Sequence, residues 1–562
     1  MELEYVRKKN PKPLGLFFFF IVLVLMVFSG AVYLYPAFVK VPPTEGLRLI
    51  IDNSDLGKDK TDVINGDIYL PYRVVKEHLD PAIFWEKDTG KVIVTTKDKV
   101  IRMAADAVTA RVNSEEMTLQ APVREKEGKP WIPVEFLAPL YQVDIKYYPG
   151  TRRVVITRLN RERKLGRVSA KAKLRTAPGF RNPWLDRLES GDVVEVFGRQ
   201  GDYLRVRTAA GGLLGYVAAA NISITEVAEP GKQDVGPVAV WQPPAGERVN
   251  LTWEFVTRDN PDTAKIPLLP GVNVVSPTWF YLSDTAGNVG NRAGSNYVSW
   301  AHRRGYQVWA LFSNDFNRDR THAVLAAAEK REKVIDQLLV YAQLYRLDGL
   351  NIDFENVYVK DGDLLVQFVR ELVPLAHQQG LVVSIDVTVK SGSANYSLFY
   401  DREALGEAVD YVILMTYDEH WASSPEAGSV ASLPWVERGV LGLLEEVPRD
   451  KLILGVPFYT RLWIEKEQED GSVRVQSKAL SMKAAAELIA GNGAGVSYDE
   501  AAGQHYATWQ RGGVVYEIWL ENENSMRQRA ALVKKYGLAG IASWRRGFEK
   551  DNIWEVILEE IK

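Results

Sequence analysis

Asp348-Gly349-Leu350-Asn351-Ile352-Asp353-Phe354-Glu355 reads as a single strand with two characters. Successive side chains of an extended chain point to opposite faces, so Asn351, Asp353 and Glu355 share one face while Leu350, Ile352 and Phe354 share the other. The strand therefore gathers its polar groups inward, at one end. Outward from it, the chain from about residue 247 alternates apolar strands with helical stretches, the pattern of βα units around a parallel sheet. Eight strands are expected: Val249–Val256, Val272–Leu282, Gln307–Ser313, Asp348–Glu355, Val382–Thr388, Tyr411–Asp418, Lys451–Tyr459 and Gly540–Trp544. Helices fall between them, over Val324–Tyr345, Leu364–Gln379 and Met526–Tyr536 among others. Eight units within residues 247–562 imply an α/β fold of the TIM (β/α)8 barrel type. An open doubly wound sheet is the alternative, but no Gly-rich phosphate loop follows the first strand. The span 464–525 is too long for a plain βα loop and is expected to form a small α+β insertion walling one side of the cleft.

An acidic strand end has several uses. It can bind a metal or serve as a charged edge that discourages aggregation. A metal site is disfavoured because the chain has 6 His in 562 residues, none of them near this run, and no Cys. Glycosidic chemistry fits better, since it needs one carboxylic acid with a raised pKa beside a group that stabilises developing positive charge. In a TIM barrel the working groups sit at C-terminal strand ends. That rule brings Glu355 together with Met415-Thr416-Tyr417-Asp418 on strand six, Asp386 on strand five and Trp544 on strand eight. Trp253, Trp279, Trp519 and Glu521 are further candidates for the cleft wall, with ordinary packing as the competing reading. His420, beside Trp421, is read as structural in preference to substrate contact.

Net charge is −3, from 69 basic and 72 acidic residues, which gives no electrostatic case for a nucleic-acid partner. The absence of Cys excludes disulfides, thiolate metal sites and a Cys nucleophile, and suits a protein working outside the cell. Arg7, Lys8, Lys9 and Lys12 precede an uncharged run from Pro13 to Val39 rich in Phe, Leu, Val and Ile. A cytoplasmic basic tail over 1–13 and a single transmembrane anchor over 14–39 are expected, with the remainder outside the membrane. The competing reading is a signal peptide cleaved near Ser29-Gly30-Ala31, giving a secreted protein.

Within 45–160 the chain repeats itself. Gly66-Asp67-Ile68-Tyr69-Leu70-Pro71 recurs as Gly128-Lys129-Pro130-Trp131-Ile132-Pro133, and Lys91-Val92-Ile93-Val94 as Arg153-Val154-Val155-Ile156. Each half reads strand, short helix, strand, with Trp85 aligned to Tyr147. This α+β segment resembles the N-terminal domain family named after copper amine oxidases; His78 is its only His, so copper is not implied. Residues 165–226, with Leu174-Arg175-Thr176-Ala177-Pro178, Leu188-Glu189-Ser190-Gly191-Asp192, Tyr203-Leu204-Arg205-Val206 and Gly215-Tyr216-Val217, resemble a bacterial SH3-like β-barrel. That resemblance implies contact with the cell wall, or a passive spacer. Residues 227–246, rich in Pro and Gly, read as a linker.

The set at the strand ends resembles glycoside hydrolase family 18, the chitinase family, across 247–562. Asp348, Asp353 and Glu355 match its Asp-x-x-Asp-x-Asp-x-Glu signature, Met415, Tyr417 and Asp418 its Met-x-Tyr-Asp, and Trp544 its strand-eight Trp. The signature's second Asp is Asn351 here. Together with Tyr417-Asp418-Glu419-His420-Trp421 and Pro457-Phe458-Tyr459-Thr460-Arg461-Leu462-Trp463, this looks like the spore-germination branch, the cortex-fragment N-acetylglucosaminidases. The resemblance implies substrate-assisted retention with no cofactor and no metal. Glu355 would act as acid and then base, Asp353 would hold the acetamido N–H, and Tyr417 would orient that group. Trp544 would floor the sugar subsite, with Met415, Asp418 and Asp386 alongside. Asn351 is expected to hydrogen-bond Asp353 and let it ionise readily, with Asp348 supporting from beneath. Peptidoglycan of the wall or spore cortex is the implied substrate. Chitin or chitooligosaccharides, or an inactive glycan-binding role, are the alternatives.

Overall fold

The computed structural model describes residues 14–42, 45–231 and 240–562. The basic tail and residues 232–239 of the linker lie outside these. Two compact units are present among the described residues, those within 14–85, 103–110 and 116–231 forming the first and those within 86–102, 111–115 and 240–562 the second.

In the second unit eight parallel strands close on themselves. They are β1 (Val249–Glu254), β2 (Val274–Pro277), β3 (Gln307–Ser313), β4 (Gly349–Asp353), β5 (Val382–Thr388), β6 (Tyr411–Met415), β7 (Leu452–Pro457) and β8 (Gly540–Trp544). Each pairs in parallel with the next, and β8 returns to β1 through Val249 opposite Gly540. This is the TIM barrel expected. Its interior is packed with Leu251, Trp253, Trp309, Leu311, Ile413 and Ile453, so it is a core and not a pore. Strand alternation works as read: Asn351 points into the barrel, while Phe354 stacks on Phe368 of the helix Gly362–Gln378, ring centroids 5.8 Å apart.

Several strands are shorter than the apolar runs suggested. The second run splits into β2 and a separate Phe280–Leu282 segment, and β4 and β6 stop at Asp353 and Met415. The helical run ending at Tyr345 is two helices, Arg318–Leu325 and Ala328–Tyr345. The insertion is an antiparallel five-stranded sheet with the helix Met482–Gly491, and its first strand begins at Tyr459, immediately after β7. Residues 86–102 belong to this second unit through a buried ion network. Arg331, wholly buried, donates to Glu86 (3.1 Å) and Glu371 (3.0 Å), and Arg102 donates to Glu371 (2.7 Å).

In the first unit the two repeat copies pair with each other, Ile132 opposite Leu70 and Pro133 opposite Tyr69. The repeat is imperfect. A helix, Tyr72–His78, follows the first copy, whereas turns occupy the equivalent place after Pro133, where Pro139 and the adjoining main-chain bonds keep the chain in tight turns. Residues 163–228 form a seven-stranded sheet around Val168, Leu174, Leu188, Val194, Val206 and Val217. Gly215 is required there because a Cβ would lie 2.6 Å from the Arg175 carbonyl oxygen. The first helix, Leu14–Leu34, is long and apolar enough to cross a membrane.

Candidate active site

β4 carries the site, and its neighbours complete it. Asn351 is wholly buried and makes four hydrogen bonds from inside the barrel. Its amide donates to Asp386 Oδ1 (2.8 Å) and Ser384 Oγ (3.1 Å) on β5, and its carbonyl accepts from Trp253 Nε1 (2.9 Å) on β1 and Ser276 Oγ (3.2 Å) on β2. Asn351 therefore braces four strands. It does not bond Asp353, contrary to the sequence reading, because its amide donates instead to Asp386 and Ser384 on β5.

Asp353 and Asp386 lie side by side. The register Asn351–Ser384 and Ile352–Ile385, continued by one residue, places both carboxyls inward on adjacent strands. Two such acids cannot both ionise freely in a buried site. Burial pushes the Asp353 carboxyl up to about 7. Asp386 is raised well above the carboxylate range by burial and then by the charge of Asp353, with the Asn351 bond opposing. The ready ionisation of Asp353 expected from Asn351 is thus overturned: the amide removes one neighbouring charge, but burial alone holds the Asp353 carboxyl up. Asp353 Oδ1 is buried with no hydrogen-bond partner among the described residues, leaving an acceptor aimed into the site.

Glu355 lies two residues beyond the end of β4, where no ladder holds it. Asn314, just past β3, takes over. Its side-chain carbonyl accepts from the Glu355 N–H (3.1 Å) and its amide donates to the Glu355 carbonyl (2.7 Å), the two bonds a neighbouring peptide would make. The β3 backbone itself turns away, Asp315 and Phe316 adopting φ of 54° and 53°. Tyr400 Oη donates to the Phe354 carbonyl (2.8 Å) on the other side. Burial, then the charges of Asp353 and Asp418, holds the Glu355 carboxyl well above its ordinary range, the direction a general acid requires. Tyr417 is likewise raised by burial and then by Asp386 and Asp353, and stays a hydroxyl donor.

Trp544 ends β8 and meets Trp253 and Phe255 edge-on, with centroids 5.8 and 6.1 Å apart. Asp418, at φ 61°, accepts from Tyr459 Oη (2.5 Å) and Arg461 (3.3 Å) at the start of the insertion. Met415 is buried at the tip of β6.

Five candidates fall outside this constellation. Asp348 sits at the opposite, N-terminal end of β4 and faces outward, bonded to His302 Nε2 (2.7 Å) and the Val308 N–H (2.8 Å). Trp253 is core, its indole spent on Asn351. Trp279 is wholly buried against Tyr297 with its N–H on Asn260 (2.7 Å). Glu521 is buried in an ion pair with Arg529 and also accepts from Gln504 (2.9 Å). Trp519 is half-buried, its N–H on Asp499 (2.8 Å). His420 is held by the Ser429 carbonyl (2.8 Å). Sequence reasoning missed Asn314, Tyr400, Tyr459 and Phe255; the polar Ser313-Asn314-Asp315 at the C-terminal end of a barrel strand was the signal for the first.

Comparison with known proteins agrees with this geometry. Residues 292–549 match the model of glycosyl hydrolases family 18, residues 51–156 that of the copper amine oxidase N-terminal domain, and residues 170–223 that of the bacterial SH3 domain. The uncharacterized glycosylase YvbX of Bacillus subtilis is 25% identical over 52% of this chain and 85% of its own length. The cortical fragment-lytic enzyme of Bacillus anthracis is 27% identical over 44% of this chain and 57% of its own length, so the match spans little more than half of that relative. The C-terminal domain of a putative chitinase from Desulfitobacterium hafniense, as a crystal structure, superposes with a TM-score of 0.50 at 25% identity, covering 56% of this chain and 100% of that one.

Proposed function

We propose, from the premise that residues 292–549 are a glycoside hydrolase family 18 domain and the protein a glycosidase, that it cleaves β-1,4 bonds after N-acetylglucosamine in peptidoglycan of the wall or spore cortex. The observation that carries the chemistry is the pairing of a buried Glu355, its carboxyl held well above the ordinary range, with an unpartnered, buried Asp353 oxygen at one barrel mouth. Glu355 delivers its proton to the glycosidic oxygen as the C–O bond breaks. The acetamido oxygen of the same sugar attacks the anomeric carbon, and its N–H is held by Asp353, whose charge stabilises the cyclic cation. Tyr417 orients the acetamido group and Trp544 supports the ring. Glu355, now a carboxylate, takes a proton from water, which opens the ring and returns the anomeric carbon to its first configuration.

Peptidoglycan is favoured over chitin by the relative named for cortical fragments and by the bacterial SH3 match, a module suited to wall contact. We read the helix Leu14–Leu34 as a retained anchor that holds the catalytic domain outside the membrane. The substrate is tested by incubating the full chain with purified peptidoglycan and, separately, with chitin oligomers. New reducing ends bearing N-acetylglucosamine, released faster from peptidoglycan, are expected. Preferential release from chitin oligomers would move the assignment to chitinase, and no release from either would leave a glycan-binding protein.

A further inference from the structure

The chain does not leave its apolar helix as a loose tether. The Trp184 N–H donates to the Val39 carbonyl (3.0 Å), the Val41 N–H to the Trp184 carbonyl (2.9 Å), and Trp184 Nε1 to the Phe38 carbonyl (3.4 Å). Lys173 Nζ donates to the Ala37 carbonyl (3.3 Å), and Ala37 is buried. The helix end is therefore stapled to the strand Trp184–Leu188 of the SH3-like sheet, within the first unit. A helix of 21 residues is about 31 Å long, close to the roughly 30 Å hydrocarbon core. With the helix in a bilayer, Tyr33, Tyr35 and Phe38 fall at the interface, where aromatic rings concentrate. Tyr35 and Phe38 are 70% and 73% exposed.

Cations crowd this collar. Lys40, Lys173 and Arg187 each lie 5.3 Å from the centroid of Trp184, and Arg181 lies 4.1 Å from that of Tyr33. Among the described residues none of the four has an ion-pair partner. The neighbouring carboxylate, Asp186, accepts from the Arg187 backbone N–H. Three like charges around one indole repel each other and attract an anion from outside. Phe180, 58% exposed, stands beside Arg181 and presents an apolar ring on the same turn.

We propose that this face of the SH3-like sheet docks on the bilayer that holds the helix, with lipid phosphates between Lys40, Lys173, Arg181 and Arg187 and the rings of Phe180 and Phe38 in the interface. The anchor is then a hinge-free mount, and the SH3-like sheet lies on the lipid surface. This rests on the helix being retained. It assigns the domain a lipid contact in addition to whatever it binds in the wall.

Because the chain has no Cys, Phe180→Cys gives a single thiol for an environment-sensitive fluorophore. The labelled full chain is reconstituted into vesicles of phosphatidylcholine, alone or with phosphatidylglycerol, carrying a headgroup-attached quencher. Flotation with the vesicles reads the anchor, and quenching reads the docking. Quenching is expected to rise with phosphatidylglycerol. In Lys173→Gln/Arg181→Gln/Arg187→Gln the docked-to-undocked ratio is expected to fall about fivefold per charge, on the order of 100-fold for the three. Lys40→Gln, which leaves the main-chain bonds of Val39 and Val41 to Trp184 in place, repeats the effect at about fivefold. A chain that floats while its label stays equally open to an aqueous quencher in both lipids overturns the docking. Loss of quenching on adding inorganic phosphate, with salt of equal ionic strength having no effect, replaces the lipid by a free-phosphate site. A chain that fails to float overturns the retained anchor itself.

Discussion

Glu355→Gln lowers kcat on N-acetylglucosamine glycosides by about 10²- to 10⁴-fold and leaves KM within a few-fold, because the amide keeps the shape of the acid and cannot deliver its proton. The main chain on either side is fixed by Asn314 and Tyr400 and is indifferent to the change, so the variant folds. The pH profile carries the same information. Burial and the neighbouring charges of Asp353 and Asp418 hold the Glu355 carboxyl well above the ordinary carboxylate range, so the alkaline limb of wild-type kcat/KM belongs to Glu355 and is displaced upward, while the acidic limb belongs to Asp353, raised to about 7. The residual activity of the variant has no such alkaline limb. Steady-state kinetics of the two proteins across pH checks both points, and a variant with wild-type kcat refutes the acid assignment.

Asp353→Asn produces opposite changes in activity and stability. Activity drops by roughly 10²- to 10³-fold, since a preorganised charge opposite a developing cation is replaced by a dipole. Stability rises at neutral and alkaline pH. The folded-state pKa of Asp353 is raised to about 7, so the folded protein retains a proton that the unfolded chain has already released. The stability owed to that proton is complete below the ordinary carboxylate pKa of about 4 and is lost as pH climbs towards 7. An amide at this position never bears the charge and escapes the loss. Thermal melts at about pH 5 and about pH 8 should therefore show wild type falling further behind the variant at the higher pH. Equal melting of the two at both values would mean that Asp353 is not a strained, functional carboxyl.

Much of this was legible in the sequence, and the remainder was not for physical reasons. The barrel followed from counting apolar runs, since strands of a doubly covered parallel sheet are apolar along their length. The shared face of Asn351, Asp353 and Glu355 followed from period-two alternation, while the choice of Glu355 as the acid came from the family resemblance. The partner of Asn351 did not, because a strand's own sequence says nothing about which side chain arrives from the neighbouring strand; Asp386, from β5, takes the hydrogen bond, and burial sets the pKa of Asp353. Asp348 was assigned by motif spacing although its even number puts it on the outer face, where the structure finds it bonded to His302. Trp279 and Glu521 show the limit of reading residue type alone: both are fully satisfied inside the fold.

The central claim is that the substrate's own acetamido group is the nucleophile at a site built by Asp353, Glu355 and Tyr417. Proton NMR of the reaction on a β-1,4-linked N-acetylglucosamine oligomer, recorded before the product mutarotates, tests it most directly. The first-formed reducing end is expected to be the β anomer, the configuration retained. An initial α anomer would mean that water attacks the anomeric carbon directly, and would contradict it.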